Sequence, residues 1–481
     1  MKRTTALLLL ICTLFTACTS DTDKSEIQDT TDNAIVSENV SNDSGSIETY
    51  IPENLELTMH IDGTGNNFMS LLIEQFKSEY PEVNVNTVDY STVAPEDYRT
   101  KLASELMTGE GPDILLMIND GNETTDYLSD MMKLIQNDVF MDVNLMNVDF
   151  SDCNQTVMKS GIYDSKQILV PLNYSLGILY TTEERMAEAG IEYRKGMTLA
   201  EFAEPLGAFY ESNPSKKAFI NYMTAQFIFP HNTAAYLDYK NNSFLDPDEG
   251  IGIMNKHIEA YNLLYPGIFK DTETLMSYMF YRNLKNYGES YTDIYRSGDL
   301  VFMSGRNFNG WYENIGMLNS LYADDISKDE TPVVFALPTI AGTAPAPHIT
   351  YALLVNANTD NKQAVERFIK TAIGEDFQSS TGIQTGITIN NNVMEKLKEF
   401  YLTEGYDRHN PYGMRKSCEF DPEFVNSYFS IIENMSDPVP YIDRTISSNM
   451  FSLIRNGIIN GGLTEEDYNI VKSQIEFYLS E

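Results

Sequence analysis

The order of hydrophobic and polar residues predicts a repeating strand–helix pattern in the first part of the chain. Apolar and polar residues alternate over residues 55–61, a period of two that indicates a β-strand. Helical spacing follows over residues 68–76, a second strand over 83–88 and a second helix over 98–106. The apolar run of residues 114–118 fits a buried parallel strand. This pattern predicts an α/β lobe.

The loops after two of these strands are the first candidates for a binding site. Residues 62–67 follow the first strand and residues 119–122 follow the buried run. Both loops are expected at the carboxyl edge of the sheet, where open α/β sheets bind ligands. Residues 181–290 read as mainly helical. Later strands are expected at residues 168–171, 176–180, 333–338 and 351–355, and a further amphipathic helix at 363–373.

The N-terminus has the features of a secretion signal. Lys2 and Arg3 precede an apolar run of about ten residues, half of what a membrane-spanning helix needs. Thr16 and Ala17 lead to Cys18, as small residues lead to the cysteine of a lipoprotein signal. Residues 1–18 are therefore predicted to be a lipoprotein signal peptide, with Cys18 as the lipidation site. The alternative is a secreted protein without an anchor, in which this cysteine is incidental.

The next segment, residues 19–53, is predicted to be a flexible acidic tether. It is rich in Ser, Thr, Asp and Asn and has too little apolar surface to offset the entropy lost on folding. A tether after Cys18 would hold a folded body near the outer face of the membrane. The remaining length exceeds one ordinary core and predicts two lobes.

Charge and cysteine content exclude several classes of function. The formal net charge of −37 disfavours nucleic acid as a partner, because that affinity depends on Lys and Arg at phosphates. Beyond Cys18 only Cys153 and Cys418 remain, and their spacing fits neither a disulfide framework nor a zinc site. One disulfide or two unpaired thiols both stay open. No common hydrolase, metalloprotease or nucleotide-binding motif is found, so neither catalytic residues, nor a metal, nor a cofactor is predicted.

Several short motifs occur in an order that resembles a known family. The motifs lie within residues 76–81, 102–113, 170–180, 189–202, 297–311 and 337–378, and the second of them ends in Gly-Pro-Asp. Together they are similar to the extracellular solute-binding proteins of ABC importers, of the maltose- and oligosaccharide-binding type. The resemblance covers roughly residues 54–390.

This resemblance implies a two-lobed α/β fold of the type II periplasmic-binding-protein class, with the ligand in a cleft between lobes. Three chain crossings are expected, near Pro171, near Pro338 and near residue 385. Lobe 1 would contain residues 54–171 and 338–385, and lobe 2 residues 172–337 and 386–481. A monomeric, membrane-anchored protein of this kind would close on its solute and present it to a membrane permease.

The resemblance and the loop positions together nominate ligand-binding residues. Trp311, the only tryptophan, lies where the family places an aromatic that stacks on sugar rings, and Asp120 where it places a carboxylate that binds sugar hydroxyls. Core packing and loop capping are the respective alternatives. The other nominated residues are Asn119, Asp62, Asn66, Asn67, Tyr174, Arg306 and Tyr351, with His348 as a weaker candidate.

A carbohydrate is the expected solute, and three alternatives remain. A ligand-sensing lipoprotein that serves a membrane receptor would have the same fold and the same sequence features. A binder of a different solute, such as a peptide or a polyol phosphate, is also compatible. The acidic charge disfavours an organic anion, although Arg306 provides a local positive charge. An enzyme is disfavoured by the missing motifs.

Overall fold

The structure is a computed structural model. It describes residues 55–61, 67–90, 92–118, 128, 131–219, 237–238, 241–264, 295, 297–302, 329–380, 386–403, 420–438 and 443–480. The predicted signal peptide, the predicted tether and Cys18 lie outside the described residues.

The first half of the described chain contains most of the strands. In chain order it contains β1 (Glu56–Ile61), α1 (Asn67–Glu79), β2 (Asn84–Asp89), α2 (Pro95–Thr108), β3 (Ile114–Ile118), α3 (Met131–Gln136), α4 (Gln155–Met158), β4 (Ile162–Tyr163), β5 (Lys166–Gln167), β6 (Leu169–Ser175) and β7 (Ile178–Thr182). Short 3-10 helices occur at Val143–Leu145 and Lys159–Gly161.

The second half is mainly helical. It contains α5 (Glu183–Glu188), α6 (Leu199–Ala203), α7 (Leu206–Ser212), β8 (Leu237–Asp238), β9 (Ser243–Phe244), α8 (Pro247–Leu264), β10 (Pro332–Ala336), β11 (His348–Val355), α9 (Lys362–Ile373), α10 (Glu375–Gln378), β12 (Ile387–Thr388), α11 (Asn391–Thr403), α12 (Pro422–Glu433), α13 (Arg444–Asn460) and α14 (Glu465–Ser480).

The predicted strand–helix pattern at the start of the chain is confirmed. Strands β1, β2 and β3 are parallel neighbours in a six-stranded sheet of order β12-β6-β11-β3-β1-β2. Strand β11 runs antiparallel between β3 and β6. Helix α2 ends at Gly109, whose φ of 81° is in the left-handed region that glycine adopts without strain. The helix predicted over residues 98–106 therefore ends at a glycine in the structure.

Lobe 1 is built on this sheet, and its apolar residues form a first core. Strand β3 is almost fully buried, as its continuous apolar run predicted. Helices α1 and α9 pack against each other through Phe76 and Phe368, whose rings meet edge to face at 5.1 Å. Such contacts between large aromatic side chains contribute much of the stability of a core.

Lobe 2 has a separate, second core and a smaller sheet. Strands β7 and β10 form an antiparallel pair. One face of this pair, with Leu179 and Phe335, packs in the second core together with α6, α8, α13 and α14. The opposite face, with Tyr180 and Val334, continues the first core. The α/β class and the two-lobed architecture are therefore both confirmed.

The first crossing between lobes lies later in the chain than expected. Strand β6 passes Pro171 and stays in the first sheet until Ser175, and β7 begins at Ile178. Proline is usually confined to sheet edges or irregularities because it lacks an N–H group. Here Pro171 pairs with Ala352 beside a register shift in β11, so the strand continues through it.

Helices α11 and α12 lie at the junction of the lobes. Helix α11 contacts β12 and α10 of lobe 1, and α12 contacts α11 and also β10 of lobe 2. Side chains of α12, including Phe424 and Tyr428, are part of the first core where it extends over β7 and β10. The chain after residue 385 therefore does not enter the second core until α13.

Candidate functional site

Three strands close to the expected crossings lie side by side, and Asn173 on the middle strand contacts both neighbours. Strands β12, β6 and β11 are adjacent in the first sheet. The side chain of Asn173 on β6 is fully buried, and its Oδ1 accepts a hydrogen bond of 2.9 Å from the backbone N–H of Tyr351 on β11. On the other side, a Cβ added to Gly386 would lie only 2.7 Å from Asn173 Cγ. The chain entering β12 can pass Asn173 this closely only because residue 386 is glycine.

An aromatic pair lies at the carboxyl edge of the first sheet. Tyr351 is opposite Ile118, the last residue of β3, and its ring stacks on Phe68 at 4.5 Å with an interplanar angle of 12°. Phe377 packs edge to face against Phe68 at 5.4 Å. Tyr351 keeps 7 % of its surface exposed. The structure thus places Tyr351 at the predicted edge, with one face of its ring covered by Phe68.

The other nominated residue on a crossing strand, Tyr174, is part of the first core. Its side chain is fully buried, and its hydroxyl has no hydrogen-bond partner among the described residues. Burial, with a smaller contribution from Tyr428, raises the pKa of this hydroxyl well above its ordinary value. In this conformation Tyr174 therefore packs inside the first core. The sequence did not show which way this side chain points.

Most of the nominated residues lie outside the described residues. These are Asp62, Asn66, Asn119, Asp120, Arg306 and Trp311, together with the side chain of Asn67. The described chain stops shortly before each of these segments. Strand β1 ends at Ile61 and β3 ends at Ile118. Before Arg306, the buried Phe302 stacks on Phe219 with ring centroids 4.9 Å apart. Their ligand roles, and that of half-buried His348 at the start of β11, stay predictions.

A cavity of about 810 Å³ lies beside the second crossing, where sequence reasoning gave no signal. Its lining is apolar along β10 and polar along α12, and Tyr193 packs on Phe335 at 4.3 Å. The volume is typical of small-molecule sites. Its walls come from residues far apart in the chain: 193–197, 334–338, 342–345 and one face of α12.

The described residues provide neither a metal site nor a reactive thiol. No group of three or more His, Cys, Asp or Glu side chains converges within the described part of the chain. Cys153 is a buried free cysteine, and burial raises the pKa of its thiol to about 12. It is therefore protonated at neutral pH and poorly suited to nucleophilic attack or metal binding. Among the described helices, none has the length and apolar character needed to cross a bilayer.

The family of the chain follows from a match that spans most of the folded body. Residues 72–401 match the family described as bacterial extracellular solute-binding protein. The chain belongs to this family. The resemblance inferred from the short motifs is thereby confirmed, and a two-lobed body is what a solute-binding protein requires. No curated protein matches the chain significantly by sequence.

Solved structures with the same fold have very different sequences. The sugar-binding protein MalE from Xanthomonas citri has a TM-score of 0.56 at 15 % identity, covering 88 % of this chain and 97 % of its own. A periplasmic oligogalacturonide-binding protein from Yersinia enterocolitica has a TM-score of 0.55 at 14 % identity, with 88 % and 99 % covered. The GacH receptor of Streptomyces glaucescens has a TM-score of 0.52 at 15 % identity, with 88 % and 98 % covered. At such identities the similarity shows the fold of this solute-binding protein and not its solute.

Proposed function

We propose that this chain is the substrate-binding component of an ABC importer, and that it captures a sugar or oligosaccharide between its lobes for delivery to a membrane permease. The observation that carries the proposal is the pair of separate cores, one for each lobe, in a chain that belongs to a solute-binding family. The segments that join two such lobes act as a hinge, and hinge closure around a ligand is how such proteins respond to it.

Carbohydrate is the solute class that the residues near the cleft favour. Sugars are recognised by aromatic faces together with carboxylate and amide side chains. The stacked pair Phe68 and Tyr351 lies at the carboxyl edge of the first sheet. Asn119 and Asp120 follow β3 at the same edge, and Trp311 is the nominated stacking residue. The solved proteins of the same fold include binders of sugars, oligogalacturonides and acarbose.

The N-terminus supports attachment to the outer face of the cytoplasmic membrane through a lipid on Cys18. The apolar run before Cys18 and the acidic stretch of residues 19–53 fit a cleaved signal and a tether. A tether keeps a captured solute close to the permease. The proposed protein acts as a monomer, has no enzymatic activity and uses no cofactor.

Thermal melting against a carbohydrate panel tests the solute class. The chain from residue 19, which carries no lipid, is melted with mono- and oligosaccharides that include maltotriose and digalacturonate. A sugar at about 100 times its dissociation constant should raise the free energy of unfolding by roughly 2.7 kcal/mol. If no sugar shifts the melting temperature and a peptide or polyol phosphate does, the carbohydrate assignment is wrong.

Trp311 provides a site-specific version of this test. The sugar that stabilises the protein should change the emission of this single tryptophan, and Trp311→Ala should abolish binding. Phe477→Ala is the matched control, because Phe477 is an exposed aromatic on α14 with 65 % of its surface accessible. Equal loss of binding in both variants would argue against a specific stacking role for Trp311.

A further inference from the structure

Strand β10 presents an outer edge in the sheet of lobe 2. Among the described strands it pairs with β7 alone. Residues of an antiparallel pair alternate between those that hydrogen-bond to the partner strand and those that do not. Thr331 and Leu337, at the two ends of β10, hydrogen-bond to the residues that flank β7. By this alternation the N–H and C=O groups of Val334 and Ala336 point away from β7, to the outer edge.

Two prolines limit the length of this outer edge. Pro332 begins β10 on the same outer side, and Pro338 follows the strand in the same alternation. Neither has an N–H group to donate. Val334 and Ala336 are therefore the N–H donors of the edge between the two prolines. Proline at an edge prevents long strand-to-strand pairing, so this edge suits a short extended segment and not the strand of a second copy of the chain.

The cavity of about 810 Å³ runs along this edge. Five consecutive residues, 334–338, line one of its walls. Successive side chains of a strand point to opposite faces of the sheet. A cavity that touches all five residues must therefore reach the edge of the strand, where the main chain is accessible. The cavity is a groove, and the main chain of β10 forms part of its wall.

One stripe of α12 forms the opposite wall of the groove. Asn426, Ser427, Ser430 and Asn434 lie three or four residues apart and share one face of the helix. Their amide and hydroxyl groups both donate and accept hydrogen bonds. The groove therefore offers main-chain partners along one side and uncharged polar side chains along the other.

Two loops form the remaining wall, and they carry little charge. Gly196 and Gly342 pass each other so closely that a Cβ on Gly342 would collide with the Gly196 carbonyl oxygen. Lys195 and Glu423 are the charged residues among the described lining. Neither Phe68 nor Tyr351 is part of that lining, so the groove is separate from the aromatic pair at the carboxyl edge of the first sheet.

We propose that the groove between β10 and α12 binds a short extended peptide with uncharged side chains, which adds a strand to the outer edge of β10. A peptide main chain repeats its donors and acceptors on one side about every 6.8 Å, which matches the spacing from Val334 to Ala336. Sugar hydroxyls have no such repeat. Two donors bounded by prolines fit a segment of about three to five residues. This peptide site goes beyond the proposed capture of a solute between the lobes.

Hydrogen exchange with a defined peptide library tests the site. The chain from residue 19 is mixed with acetylated and amidated pentapeptides that have threonine at every other position and varied uncharged residues between. The Val334 and Ala336 amides should exchange about ten-fold more slowly in the complex, as expected for one new hydrogen bond each. The same library N-methylated at every residue keeps the side chains but loses the N–H groups, and it should give no protection.

Variants of the groove provide a second readout, the affinity for a fluorescein-labelled library peptide. Ser430→Trp fills the groove from an exposed position on α12 and should weaken binding about ten-fold or more. Ala336→Pro removes an outer N–H without breaking a hydrogen bond to β7 and should have a similar effect. Ser104→Trp changes an exposed serine on α2, outside the groove, and should bind as the parent does. If circular dichroism shows that Ala336→Pro fails to fold, Ser430→Trp decides.

Several outcomes would overturn the proposal. They are no saturable binding of the library up to about 1 mM, and equal binding of the N-methylated library or of Ser430→Trp. Protection confined to Tyr351 and its neighbours would place the peptide at the carboxyl edge instead. Protection of Val334 and Ala336 by maltotriose, with none from the library, would assign the groove to a sugar. Failure of the carbohydrate panel would leave the peptide results unaffected, so the two proposals fail independently.

Discussion

Two buried aspartates of this protein both accept hydrogen bonds, but they connect different parts of the molecule. Asp113 follows α2 in lobe 1, where its carboxylate accepts hydrogen bonds from the Thr58 N–H at 2.6 Å and from the Thr359 hydroxyl at 2.5 Å. Asp443 accepts from Met132 and Tyr478 in an equally buried setting. Thr58 and Thr359 belong to the same lobe as Asp113, whereas Met132 and Tyr478 belong to different lobes.

The difference shows that location decides what a buried carboxylate does. Asp113 links β1 to the loop between β11 and α9, both within lobe 1. Its hydrogen bonds therefore stabilise the fold of a single lobe. Those of Asp443 join α13 to α14 within lobe 2 and to α3 of lobe 1. Substitutions at the two positions should separate the stability of one lobe from the contact between lobes.

Asp113→Ala should produce the largest effect. It leaves the Thr58 N–H and the Thr359 hydroxyl without their acceptor inside lobe 1, which should lower the free energy of unfolding by about 3 kcal/mol. Urea unfolding followed by circular dichroism measures this change. The radius of gyration of the folded variant should equal that of the parent. A more open folded state in Asp113→Ala would remove the distinction between the two aspartates.

His257 extends the comparison to the interior of lobe 2. Burial lowers the pKa of its imidazole to about 4, although a hydrogen bond with the Ile253 carbonyl acts in the opposite direction. The unfolded chain binds a proton near the ordinary pKa of 6.5, so between pH 6.5 and 4 acid favours unfolding. Above pH 6.5 the protonation of His257 costs the folded state nothing. As the pH falls towards 4, it lowers the free energy of unfolding by up to about 3 kcal/mol.

His257→Leu should reduce the slope of stability against pH in this window. Urea unfolding at pH 7, 6, 5 and 4.5 gives the slope for both proteins, and the slope is unaffected by any constant packing change from the substitution. Parallel slopes for the parent and the variant would mean that His257 is not held neutral in the folded state.

Much of lobe 1 could be predicted from the sequence because its signals are local. Each signal lies within a few consecutive residues: the alternation in β1, the apolar run of β3 and the glycine at which α2 ends. Lobe 2 was harder to predict. Its sheet pairs β7 with β10, about 150 residues apart, and the two-residue strands β8 and β9 are too short to show a period.

The candidate site was predictable in position and not in side-chain detail. The sequence located the carboxyl edge of the first sheet, and Tyr351 lies there. It could not show that Tyr174 points into the core, because every residue of β6 is buried and no alternation distinguishes its faces. Asp443 gave no signal either, since it reads as an ordinary helix cap and its partner Met132 is distant in sequence.

Tyr478→Phe should have a smaller effect than Asp113→Ala. It removes one hydrogen bond to the buried Asp443 carboxylate and keeps the aromatic ring, so the free energy of unfolding should fall by about 1 kcal/mol. Urea unfolding followed by circular dichroism measures this change. An unchanged free energy of unfolding would mean that this hydrogen bond does not contribute to stability.

Capture of a carbohydrate between the lobes is tested most directly by calorimetric titration of the chain from residue 19 combined with small-angle X-ray scattering. We expect at least one oligosaccharide of the panel to bind saturably at one site per chain, and saturation to reduce the radius of gyration. Saturable binding of a non-carbohydrate solute, with no heat from any sugar, would contradict it.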